Sequence, residues 1–164
     1  MLARGLPGGE TFEAARCRAE QDIFREEVAR RAAELGLQPL RWPDPFPFDS
    51  EPAMRVATYA ASIGRAVPFA QAAFRQAFAG GRSLGESDNV LIAAAACEMH
   101  PAAVLRAAEL RSVAEELERA TATAASLGVR DVPAVLAGGR VFHGERALAQ
   151  AAAALHGTSA GAPR

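Results

Sequence analysis

Two cysteines, three histidines and no lysine bound the covalent chemistry open to this chain. All 18 positive charges are Arg, which excludes a P-loop lysine, a Schiff-base lysine and a lysine general base. Cys17 and Cys97 stand in no CxxC or zinc-like spacing, so two reduced thiols are expected rather than a disulfide. Cys17 shares a helical face with Phe24 and Val28, and Cys97 lies on an Ala-rich helix with Val90, so both read as packing residues. His100, His143 and His156 are too scattered to pair on a metal, and no metal site is expected. Trp42, Phe46 and Phe48 punctuate a Pro-rich stretch. They either seat that loop on a core or line an apolar pocket for a small aromatic substrate.

Charge narrows the field further. The 18 basic and 19 acidic residues leave a net charge of −1, without the electrostatic footprint of a nucleic-acid binder or a polybasic membrane-surface protein. No stretch has the ~18 apolar residues of a membrane span, and Met1 to Glu10 lacks the apolar middle of a signal peptide, so a cytoplasmic protein is expected. The 164 residues are half hydrophobic, enough for one domain with its own core. Alanine makes up about a quarter of them, which favours helix.

The elements that must position these residues follow from periodicity and punctuation. Thr11 to Gly36 reads as a helix capped by Thr11, its face running Cys17, Phe24, Val28, Ala32 and Leu35. Leu37 to Trp42 is short and extended, and the prolines from Pro43 to Pro47 exclude helix there. Ser50 caps a helix to about Ile63, and Pro68 lies near the first turn of another that closes at Gly80-Gly81. Ser87 opens a helix that stops before Pro101, which starts a further helical turn to about Ala108. A long helix follows with the face Leu110, Val113, Leu117, Ala120, Ala124 and Leu127, and Gly128 ends it. Val132 to Ala137 and Arg140 to His143 are β-prone runs around Gly138-Gly139, a hairpin signal. Leu148, Ala151, Ala152 and Leu155 mark a closing helix, and a frayed tail is expected from Gly157.

The hairpin raises a difficulty. Two short apolar strands are marginal alone in water and call for more sheet, to which only the proline-flanked segment Leu37 to Trp42 could contribute, at an edge. An exposed apolar sheet edge implies self-association, so a homodimer is a candidate assembly.

The segment GVRDVPAVLAGGRVFHGERAL, Gly128 to Leu148, resembles the C-terminal half of a thioredoxin fold, and FPFDSEPAMRVATYA with LERATATAASLGV is similar to the helical insertion of DsbA-like proteins. RWPDPFPFDS and VFHGERAL resemble the branch of 2-hydroxychromene-2-carboxylate isomerases and kappa-class glutathione transferases. The fold class implied is α/β and helix-rich: the C-terminal part of a thioredoxin fold, hairpin plus closing helix, with a helical insertion. Its expected divisions are 1–48 (first helix and Pro-rich loop), 49–127 (insertion), 128–156 (hairpin and closing helix) and 157–164 (disordered tail).

The resemblance also implies chemistry. Glutathione is the expected cofactor. Pro133 would be cis, with the backbone N–H and C=O of Val132 unpaired and presented to the peptide, and Glu145 and Arg146 would stand where two acidic or hydroxyl residues usually hold the γ-glutamyl end. Glu145 fits that role, whereas Arg146 brings the opposite charge. His143 falls where relatives often carry Trp, so packing is its expected role. The reactive Ser or CxxC that precedes the insertion in such proteins has no counterpart here, as if the chain were the C-terminal two-thirds of the fold. The implied activity is glutathione-dependent isomerisation of a chromene-type substrate; the alternatives are a thiol-disulfide oxidoreductase or a non-catalytic truncated fragment.

Overall fold

The computed structural model describes Arg18 to Ser159, so Thr11 and Cys17 lie outside the described residues. The chain divides into two compact units, the division falling between Leu117 and Glu118.

In the first unit, α1 (Arg18–Glu34) is followed by the Pro-rich loop, then α2 (Glu51–Ser62), α3 (Ala66–Phe78), α4 (Ser87–Ala95) and α5 (Pro101–Glu109). The helix α6 (Arg111–Ser126) carries the chain across the division. Leu37 to Trp42 joins no strand; the Leu37 N–H donates to the Ala32 carbonyl at 3.0 Å and the Arg41 N–H to the Phe78 carbonyl at 2.7 Å. The expected edge strand is therefore a coil tied to the end of α3. At that end a Cβ on Gly80 would lie 2.6 Å from the Gln76 carbonyl oxygen, so only glycine fits.

Small residues let α2, α3, α4 and α5 pack closely around one core. Ala53, Val56 and Ala60 from α2 meet Phe69, Ala73 and Ala77 from α3, with Val90, Ala93 and Val104 closing the other side. Tyr59, the single tyrosine, packs against this cluster. Ser50 stands at the predicted cap of α2 but makes no side-chain capping bond; Asp49 does the work instead, its Oδ1 accepting from the Glu51 N–H at 3.1 Å. Arg55 ties α2 to the end of α5 by donating from Nη1 to the Ala108 carbonyl at 3.1 Å, satisfying an oxygen near the end of that helix.

The second unit contains β1 (Ala134–Ala137) and β2 (Arg140–His143), antiparallel with Ala134 opposite His143 and Ala137 opposite Arg140. Gly138 and Gly139 both have positive φ, 57° and 74°, the backbone that a two-residue hairpin turn requires. Among the described residues the sheet has these two strands only. The last helix, α7 (Ala147–Ser159), packs on both strands and buries Ala147 and Ala151. It runs through Ser159, so helix continues past Gly157, where the sequence suggests a frayed tail.

Candidate functional site

The candidate residues gather where the chain enters β1. The Val132–Pro133 peptide bond is cis. At this corner Val132 is half-buried and Pro133 exposed. Three bonds fix it. The Arg130 N–H donates to His143 Nε2 at 3.2 Å, the Val132 N–H donates to Asp131 Oδ1 at 2.7 Å, and the Gly144 N–H donates to the Pro133 carbonyl at 2.9 Å.

Each bond bears on an expectation. Gly144 begins the turn that carries Glu145 and Arg146, so its bond to Pro133 brings that turn beside the corner although 11 residues separate them. Glu145 and Arg146 are both exposed and sit in the turn ahead of α7 rather than in its first helical positions. His143 corrects the packing expectation: it is exposed, and its ring nitrogen anchors the backbone of the facing segment. Accepting through Nε2 requires the neutral ring with its proton on Nδ1. Val132 corrects another expectation, because its N–H is taken by the neighbouring carboxylate instead of standing unpaired. Asp131 is the residue that sequence reasoning missed. An Asp in a turn readily bonds a nearby backbone N–H, so the Asp-Val-Pro triplet held the signal.

The other candidates are structural in their contacts. Trp42 sits among Phe24 of α1, Phe46 of the loop and Phe78 of α3, with ring centroids 6.3, 4.9 and 6.1 Å away. The Arg25 guanidinium lies 5.6 Å over the Trp42 ring, and Phe48 is 6.2 Å from Phe46. These rings seat the Pro-rich loop on α1 and α3. Cys97 is free and buried, its Sγ donating to the Ala93 carbonyl at 3.3 Å. Burial pushes its thiol above the ordinary range, with nearby Arg65 pulling weakly the other way, so little nucleophilic thiolate forms at neutral pH. Among the described residues no three His, Cys, Asp or Glu side chains come together as metal ligands, and no helix is long and apolar enough to cross a membrane. An apolar cleft between α2, α4 and α5, lined by Val56, Val90 and Val104, holds about 40 Å³. Small-molecule sites need roughly 300 Å³ or more, so this cleft is packing slack.

A hairpin whose entry corner is braced by the turn before the closing helix, with a helical unit ahead of it in the chain, matches a known domain type. The DsbA-like thioredoxin domain model matches residues 4–156, and the chain belongs to that family. Its fold is similar to that of a solved 2-hydroxychromene-2-carboxylate isomerase, with a TM-score of 0.74 over 87% of this chain and 68% of that one, at 17% identity. No curated protein sequence matches the chain.

Proposed function

We propose that this protein binds glutathione, or a thiol peptide of the same design, at the Val132–Pro133 corner, as a relative of the 2-hydroxychromene-2-carboxylate isomerases. The observation that carries the reading is the bond between Gly144 and Pro133, which sets the Glu145–Arg146 turn against the corner inside a DsbA-like fold. An extended peptide laid along Val132 can exchange backbone hydrogen bonds with it as an added strand does. Its ammonium end then meets the Glu145 carboxylate. Arg146 repels the same ammonium, so the clamp is half-formed and the affinity is weak, of millimolar order. What these residues supply is binding and orientation of the thiol peptide. The reaction class is isomerisation of a conjugated aromatic substrate, to which the peptide's thiolate adds reversibly.

The test is an NMR titration of reduced glutathione into the wild-type chain and Arg146→Asp. Removing the repulsion and adding an acid at a partly exposed position is worth on the order of 1 kcal/mol, so the variant should bind about fivefold tighter. Wild-type shifts should centre on Val132, Gly144 and Glu145. No saturable shift in either protein would refute the reading, and an unchanged affinity in the variant would place Arg146 outside the site.

A further inference from the structure

We propose that Asp131 is a self-capping residue that sets the peptide affinity of the Val132 corner: its carboxylate holds the backbone N–H that an extended peptide needs, and a ligand must displace it. The inference rests on the reading of that corner as a peptide site. It starts from one distance, 2.7 Å between Asp131 Oδ1 and the Val132 nitrogen, within the short range of bonds to an ionised acceptor. Such bonds are roughly twice as strong as those between neutral groups, and a peptide carbonyl is a neutral acceptor. The incoming ligand therefore trades a stronger bond for a weaker one at this position.

The surrounding bonds make Asp131 a separable element. Arg130 is held through His143 and Pro133 through Gly144, so both flanks of Val132 stay anchored when the Asp131 carboxylate swings away. Asp131 is itself exposed, and nothing buried has to move for it to leave. It acts on the ligand only through the Val132 N–H, which makes it a positioning residue. The ligand class it governs is an extended peptide that offers a backbone carbonyl to Val132.

Three full-length chains, wild type, Asp131→Ala and Asp131→Asn, separate the cap from a general effect on the fold. In the free proteins, the Val132 amide resonance should move upfield and exchange faster in Asp131→Ala, while Asp131→Asn, which keeps the acceptor oxygen, should stay close to wild type. On titration with reduced glutathione, Asp131→Ala should bind about fivefold tighter, the loss of one exposed hydrogen-bond competitor, with Asp131→Asn between the two. A Val132 amide unmoved by Asp131→Ala overturns the proposal. So does equal or weaker glutathione affinity in Asp131→Ala beside measurable wild-type binding, an outcome that leaves the peptide site standing and removes Asp131 from it. Absence of binding in all three chains and in Arg146→Asp overturns the site and the cap together.

Discussion

The helical unit and the hairpin unit solve the problem of burial differently. Among the described residues, every buried apolar side chain except Pro43, Ala147 and Ala151 belongs to the stretch from Ala53 to Ala107. There, four helices share one core around Phe69, which is 1% exposed. In the hairpin unit, by contrast, Leu136, Leu148 and Leu155 are each more than half exposed, and order is kept by backbone and side-chain hydrogen bonds around Pro133. Stability therefore resides in one region and the candidate recognition chemistry in the other. A corner held by a few exposed hydrogen bonds can exchange them with a ligand at low cost, whereas a close-packed core cannot give way locally.

The sharpest way to break this comparison is to hollow out the core. Phe69→Ala should destabilise the helical unit by about 3–5 kcal/mol, read as a large drop in its urea midpoint. A loss below about 1 kcal/mol would show that Phe69 is not the keystone its burial implies. Asn89→Ala comes next. Asn89 is buried and donates from Nδ2 to the Ser83 carbonyl at 2.9 Å and to Glu86 Oε2 at 3.1 Å, so truncation removes both bonds from a buried position and should cost about 1–3 kcal/mol.

The buried thiol supplies a smaller effect with a defined sign. Because burial raises the Cys97 pKa in the folded chain, the unfolded chain loses this proton first as pH rises. The resulting contribution to stability is complete below the ordinary thiol range, about 8.5, and is lost as pH climbs through the raised folded value. The urea midpoint of the wild type should accordingly fall more between pH 7 and pH 10 than that of Cys97→Ala. Equal falls would mean that the thiol is solvated. The smallest effect is expected in the other region: Leu148, 73% exposed on α7, should tolerate replacement by Ala within about 0.5 kcal/mol. Amide exchange sharpens the contrast without mutation, since the amides of α3 and α4 should outlast those of β1 and β2.

What could be read from the chain alone was local. Helix boundaries from Glu51 to Glu109, other than the end of α4 at Ala95 well short of Pro101, followed from apolar spacing, from Pro101 at a helix start and from glycine stops, because each is decided within a few residues. The Gly138-Gly139 turn and the antiparallel register belong to the same class, since two residues with positive φ set the pairing of their neighbours. Membership of the DsbA-like family was legible in the order of such segments.

Tertiary structure decided which partners those residues found. Leu110 and Leu127 keep a helical period on paper yet are about half exposed, and α6 buries no residue, because periodicity names a face without supplying a surface to cover it. Trp42 found Phe24 and Phe78 across a loop whose path no local rule fixes. His143 became an acceptor because the hairpin folded its ring back onto Arg130, 13 residues earlier. Sequence sets what each segment prefers within a turn or two of chain. The contacts that join segments distant in the chain depend on closing loops and filling space, and only the folded backbone brings His143 to Arg130 and Gly144 to Pro133.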